Sequence, residues 1–394
     1  VTPEEIRAAE ARYLVQTYAR PEVVFKRGNG VYLYDAQGRA YLDFVAGIAV
    51  NALGHADPEW RQAIAKQAQE LGHVSNLYHT EPHVQLARQL VEASFADRVF
   101  FSNSGSEANE AALKFARAWG RAQGKGDLVA FEGGFHGRTI GSLSLTKRRK
   151  YQAPFEPIMP GVHYAPFNDL PAAERVITDS ACAVFVEPVQ GEGGVKPADP
   201  DFLRGLRELC DSRGVLLVFD EVQCGLGRTG SLWAHQHAGV EPDVMTLAKP
   251  LAGGLPIGAT LVTEDVAAAV HVGDHGSTFG GGPVVCSAAL AVLDRLSDPE
   301  FLARVSDLGA YLLQGLRRLD SGHIVDVRGL GLMAGVEFNV PVKPLVRAAL
   351  KEGLLVVNAG EDVLRLIPPL VIERDHIDQA LEILSRTLRS AEGF

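Results

Sequence analysis

Short, continuously apolar runs alternate along the middle of this chain with longer stretches whose apolar residues recur every three or four positions. The runs Asp127–Phe131, Cys182–Glu187, Val215–Asp220, Asp243–Leu247 and Gly258–Val262 predict strands covered on both faces, because no polar residue alternates within them. Between them, Glu107–Trp119 and Asp201–Arg213 carry helical spacing with acidic residues in the first turn, where the helix dipole favours negative charge. Strand–helix–strand alternation of this kind predicts an α/β domain with a mostly parallel sheet. After about Leu293 the pattern changes. A helix is expected over Phe301–Leu319, strands at Ile324–Arg328 and Met333–Phe338, a helix at Pro344–Glu352, short strands at Leu354–Asn358 and Val363–Ile367, and a final helix over Arg374–Arg389. That composition reads as a smaller α+β C-terminal domain. The first fifty residues contain a hairpin-like run, Gly30–Phe44, that can pair with either unit. The expected division is an N-terminal segment, residues 1–50, packing with the small domain; a large domain, 51–293; and the small domain, 294–394.

Composition narrows the class without naming a function. With 394 residues, 46% hydrophobic and 22% charged, the chain can build a large core over two domains. A formal charge of −10 and a pI near 5.7 argue against a nucleic-acid partner, which needs a basic surface to displace counterions. No apolar run is long enough for a bilayer, and Val1–Tyr18 mixes Glu4, Glu5, Arg7, Glu10 and Arg12 among its apolar residues, unlike a secretion signal. A cytoplasmic protein without membrane contact is the expectation. Cys182, Cys210, Cys224 and Cys286 are widely spaced, and the twelve histidines are scattered, so neither a disulfide framework nor a metal site is expected.

Lys249 stands between the apolar run Val244–Ala248 and the glycine-bearing segment Pro250–Gly258. A recessed lysine loses its proton more easily and becomes a nucleophile suited to Schiff-base chemistry, although a lysine snorkelling from a strand end has the same local sequence. Ser104–Gly105–Ser106 precedes a helix, where free N–H groups and hydroxyls make a phosphate seat; Ser104 and Glu107 also have the spacing of a capping box. Asp220 ends an apolar strand, the place where open α/β sheets bind ligands, and is equally suited to capping a loop. Phe135 and Arg138 offer a ring for stacking and a fork for a carboxylate. Gly276–Pro283 is a second hydroxyl-bearing glycine turn before an alanine-rich helix. Gly225–Gly230 matches G-x-G-x-x-G, but Asp220–Gln223 separates it from its strand and no amphipathic helix follows, so a dinucleotide site there is not expected.

In combination these segments occur in an order that resembles the fold-type I pyridoxal-phosphate enzymes. Ser102–Glu110, Phe135–Thr139, Glu187–Gly194, Asp220–Gln223, Gly227–Gly230 and Ala248–Lys249 resemble the class-III (subgroup II) ω-aminotransferases, and within them the acetylornithine-type enzymes. The resemblance runs from Tyr18–Arg20 to Val363–Leu370. It implies pyridoxal 5'-phosphate as cofactor, with Lys249 bonding to it and then moving the proton. Asp220 would face the pyridine nitrogen, Val222 and Phe135 the two ring faces, and Gln223 the phenolic oxygen. Ser104, Gly105 and Ser106 would hold the phosphate, completed by Thr278 of a second subunit in a homodimer with shared active sites. Arg138, with Ser277 nearby, would clamp the donor's α-carboxylate, and Tyr18 and Ile48 would line the substrate side. Glu192 and Arg365 would form the switch that admits 2-oxoglutarate. The implied reaction moves the δ-amino group of N-acetylornithine to 2-oxoglutarate in arginine biosynthesis. Alternatives are the related lysine-biosynthesis enzyme acting on a donor linked to a small acidic carrier protein, or succinylornithine or 4-aminobutyrate as donor. The basic run Lys147–Lys150 suits such a carrier, and suits a solvated loop equally. An aminomutase of the same superfamily and an NAD-binding protein remain as other classes. Pro250, Ala252, Cys224 and Gly282 depart from the family pattern.

Overall fold

The structure, a computed structural model, describes residues 1–390. Its centre is a seven-stranded sheet in the order Arg98–Ser102, Gly258–Val262, Val244–Leu247, Leu216–Asp220, Ala181–Val186, Asp127–Phe131, Val162–Ala165. Only Gly258–Val262 runs antiparallel to its neighbours. Residues of the central strands divide by parity, as the two-residue period of a strand requires. Val129, Phe131, Val184, Val186, Leu217 and Phe219 pack on one face with Phe202, Leu203 and Leu206 of the helix Pro200–Arg213. Leu128, Ala130, Ala183, Phe185, Leu216 and Val218 pack on the other with Ala111, Ala112, Leu113 and Phe115 of the helix Gly105–Arg121.

Two strands of this sheet escape the periodicity. Arg98–Ser102 and Val162–Ala165 are its edges, and half-covered edge strands lack the continuous apolar run of the interior ones. The segment expected as one strand, Leu354–Asn358, is divided between two sheets. Leu354–Leu355 pairs in parallel with Ala40–Asp43 of the N-terminal sheet, whereas Val357–Ala359 joins Val363–Leu366 in the sheet Ile324–Leu330, Met333–Phe338, Val363–Leu366, Val357–Ala359. Residue 356 is the corner, and periodicity cannot see a change of partner. The first helix, Pro3–Tyr13, buries no residue.

Connections from the parallel strands leave Asp127–Phe131 and Ala181–Val186 in opposite directions across the sheet. Such a switch point opens a crevice at the carboxyl ends of the strands. Among the described residues no helix is long and apolar enough to cross a membrane.

Candidate active site

Every parallel strand near the switch point delivers a chemical group from its carboxyl end. Phe135 and His136 follow Asp127–Phe131, Glu187 follows Ala181–Val186, Asp220 closes its own strand, and Lys249 follows Val244–Leu247. They line one cavity of about 180 Å³ together with Ser104, Gly105, Ser106, Asn109, Glu192, Val222 and Gln223.

Asp220 is held by a buried network. Its Oδ2 accepts from Asn109 Nδ2 at 2.7 Å and lies 2.8 Å from His136 Nδ1; its Oδ1 accepts from the Val222 N–H at 3.0 Å. Asn109 also donates to the His136 carbonyl and accepts from Thr246 Oγ1, which fixes its amide orientation. Burial works against a charged His136, but the bond and charge of Asp220, with Glu187 behind, outweigh it and hold its pKa above the ordinary histidine value. The result is a carboxylate aimed into the cavity and unable to turn away.

At the cavity floor the helix Gly105–Arg121 begins. Ser104 caps it by accepting from the Glu107 N–H at 3.2 Å, but Glu107 reaches back to the N–H of Asn103 at 2.6 Å instead of closing the expected box on Ser104. The N–H groups of Gly105 and Ser106 have no carbonyl four residues earlier within the helix, and both residues line the cavity, the arrangement that suits an anion. Gly105 is required by packing, since a Cβ there would stand 2.7 Å from Val222 Cγ1. Lys249 makes no hydrogen bond among the described residues. Burial of its amine, reinforced by the Arg365 charge, lowers its pKa, and Glu192, Glu187 and Asp220 oppose the shift without reversing it. A stacking ring, an anion seat, a fixed carboxylate and an unpaired amine fit pyridoxal phosphate.

Arg365, 1% exposed, donates to Glu192 Oε1 at 2.7 Å and to Gln223 Oε1 at 2.9 Å, while its Nε has no partner among the described residues. Burial raises the Glu192 pKa, but the charges of Arg365 and Lys249 win and leave it below the usual carboxylate value. Gln223 therefore serves Arg365 in this state. Glu187 accepts from the N–H groups of Phe135 at 2.8 Å and Gly191 at 3.2 Å, and burial pushes its pKa up to about 7.

Other expected residues lie outside this cavity. Arg138 is exposed and stacks over Tyr151. Ser277 is bonded to Asn103 Nδ2 at 3.1 Å, and Thr278 is exposed. Tyr18 is 70% exposed beneath Arg20, and Ile48 is 40% exposed in the left-handed turn Ala46–Ala49, whose entry Asp43 pins through the Val45 and Ala46 N–H groups. In the basic run, Lys147 pairs with Glu132 and Arg149 with Glu156. The glycine turn Gly225–Gly230 is filled by protein: Arg228 donates to the carbonyls of Leu332 and Pro368, and burial lowers its pKa to about 9. A larger open depression of about 1040 Å³ near Arg207 lacks this convergence, since Arg207 is already paired with Asp243 and Asp211. All four cysteines are buried and free.

Sequence patterning alone marks none of Asn109, His136, Glu187 and Thr246 as a site residue. The available signal was positional: Glu187 ends an apolar strand just as Asp220 does.

Comparison with known proteins agrees with this geometry. The family described as "Aminotransferase class-III" matches residues 14–388. The mitochondrial acetylornithine aminotransferase of Alnus glutinosa is 55% identical over 98% of this chain and 88% of its own. A succinylornithine transaminase of Yersinia pseudotuberculosis is 47% identical over 95% of this chain and 94% of its own. Among solved structures, an ornithine aminotransferase of Toxoplasma gondii, described with partial occupancy of pyridoxal phosphate at its active site, superposes with a TM-score of 0.95 at 34% identity, over 99% of this chain and 95% of its own. This chain belongs to the class-III aminotransferases, pyridoxal-phosphate enzymes of fold type I.

Proposed function

We propose that the chain moves the δ-amino group of N-acetylornithine to 2-oxoglutarate, giving N-acetylglutamate 5-semialdehyde and glutamate in arginine biosynthesis. The observation that carries this reading is the masked Arg365: a carboxylate receptor held against the cavity wall by its bonds to Glu192 and Gln223, muted by Glu192 and within the electrostatic reach of Lys249. One pocket must take an ω-amine with no carboxylate at its reacting end and then a 2-oxo acid. A swinging Glu192 meets both demands. The name borne by the 55% identical relative supports the donor, as does Ile48, which offers no hydrogen bond to a free α-ammonium.

Bound pyridoxal phosphate supplies an electron sink for the electron pair left when the substrate carbon loses its proton. Asp220, locked by Asn109 and His136, would keep a positive charge on the ring nitrogen. Lys249, whose lowered pKa favours the neutral amine, would hold the cofactor and would carry the proton taken from the donor's carbon. Phe135 and Val222 would confine the ring, Gly105 and Ser106 would hold the phosphate through N–H groups, and Arg138 would take the donor's α-carboxylate.

The reading includes a homodimer. Thr278 is exposed beside Phe279, itself 66% exposed, with Leu77 and Tyr78 at 79% and 71%. A second copy covering this apolar surface would bring Thr278 to its neighbour's phosphate seat. A cytoplasmic site of action and 2-oxoglutarate as acceptor belong to the same proposal. A donor carried on a small acidic protein is the second reading; among the described residues the pairing of Lys147 and Arg149 leaves Arg148 and Lys150 of the basic run without a carboxylate and so able to recruit it. Single-turnover rates with N-acetylornithine, N-succinylornithine, ornithine and 4-aminobutyrate, read by loss of the cofactor's visible band, test the assignment. A preference for free ornithine or 4-aminobutyrate overturns it.

A further inference from the structure

The rim of the cavity carries a cation that this chemistry leaves unused. Arg138 and Arg148 share one aromatic platform: their guanidinium carbons lie 3.6 Å and 5.8 Å from the centre of the Tyr151 ring. Neither forms an ion pair among the described residues, whereas the neighbours of Arg148 in sequence are committed, Lys147 to Glu132 at 2.5 Å and Arg149 to Glu156 at 3.4 Å. Arg148 is half-buried and makes one hydrogen bond, to the Gly133 carbonyl at 3.2 Å, so most of its N–H donors are free. Gly133 opens the loop that carries Phe135 into the cavity, so this bond ties the Arg148 side chain to that loop. Arg148 therefore belongs to the cavity rim and not to the outer surface of the loop.

We propose that Arg148, seated beside Arg138 on Tyr151, forms a second carboxylate subsite, which receives the carboxylate of an anionic N-acyl group on the donor. The inference rests on the acylated-ornithine reading above and extends it to a donor class. A guanidinium stacked on a ring keeps its N–H edge open for a carboxylate and has already lost much of its side-chain freedom, which favours binding. In an N-succinylated amino acid the α-carboxylate and the acyl carboxylate stand about 6–7 Å apart by standard bond lengths. Two guanidiniums held around a single tyrosine ring can take both ends of that span. An N-acetyl group ends in a methyl and offers Arg148 nothing. The subsite thus separates two donors that Arg138, Lys249 and Arg365 treat alike.

The test compares holoenzyme and its Arg148→Gln variant with N-acetylornithine and N-succinylornithine, each with saturating 2-oxoglutarate. We expect the wild type to accept both, and the variant to lose about tenfold in kcat/KM for the succinylated donor, chiefly through KM, while the acetylated donor changes less than about twofold. Arg148→Lys, which keeps the charge and loses the fork, falls between. Equal losses on both donors would assign Arg148 to loop packing and overturn the subsite, as would no loss on either. A wild-type enzyme that turns over neither acylated ornithine removes the donor assignment itself, a result distinct from an Arg148 variant without selectivity.

Discussion

Replacing Asp220 by Asn tests the core of the site with almost no change in shape. The carboxylate accepts from Asn109 at 2.7 Å and the Val222 N–H at 3.0 Å, and pairs with His136 at 2.8 Å. An asparagine that keeps its oxygen toward Val222 turns its amide NH2 toward two donors. Asn109 cannot flip to accept without breaking its bonds to the His136 carbonyl and to Thr246. His136 can yield, because burial already favours its neutral form once the carboxylate is gone. The loss is then one charge-assisted bond, about 1.5–3 kcal/mol, plus a mispaired buried amide, for a total of about 2–4 kcal/mol. The lost stability has a pH signature. His136 has a raised pKa, so the pair stabilises the native state fully below the ordinary histidine pKa and loses that contribution as pH rises through the raised value. The variant should lack this component. Turnover should fall about 10²–10³-fold, since a neutral amide cannot hold positive charge on the ring nitrogen. Urea unfolding of the apoprotein across pH, together with steady-state kcat, measures both. Stability within about 0.5 kcal/mol of wild type at every pH, with unchanged kcat, would reduce Asp220 to a strand-end cap.

Three further outcomes follow from the same cavity. Lys249→Ala should fold and bind cofactor, yet lose several orders of magnitude in turnover and the borohydride-sensitive visible band; near-normal turnover contradicts its role. In Glu192→Gln the mask on Arg365 weakens, so KM for 2-oxoglutarate should fall severalfold while the donor half-reaction slows; stopped-flow measurement of each half-reaction decides, and equal effects on both halves refute the switch. Glu187, with its pKa raised to about 7, keeps in the native state a proton that the unfolded chain releases near the ordinary glutamate pKa, so stability must decline as pH rises between those values. Glu187→Gln should flatten that decline in denaturant titrations from about pH 5 to about pH 8, and an unchanged slope excludes Glu187 as its source.

The reach of sequence reasoning here follows from which interactions are local. Interior strands such as Ala181–Val186 and Leu216–Asp220 are covered on both faces, so their continuous apolar runs are visible without partners. The same runs locate Asp220 and Lys249 at strand ends, and the caps and glycines around Ser104 mark a helix start. Family resemblance then supplied the pairing of Glu192 with Arg365, residues far apart in the chain that meet at 2.7 Å in space. Edge strands Arg98–Ser102 and Val162–Ala165 were hidden because a half-exposed strand has mixed composition, and the break at residue 356 because a strand's choice of partner is long-range. Asn109, Thr246 and Glu187 were hidden for another reason. A polar residue that serves a buried carboxylate has no sequence signature apart from the carboxylate it serves, and Asn109 lies 111 positions from Asp220. Periodicity reports which face of an element is dry. Only the closing of the sheet brings polar groups from separate strand ends close enough to need one another, and that need, the cost of leaving a buried charge unpaired, assigns the role of each.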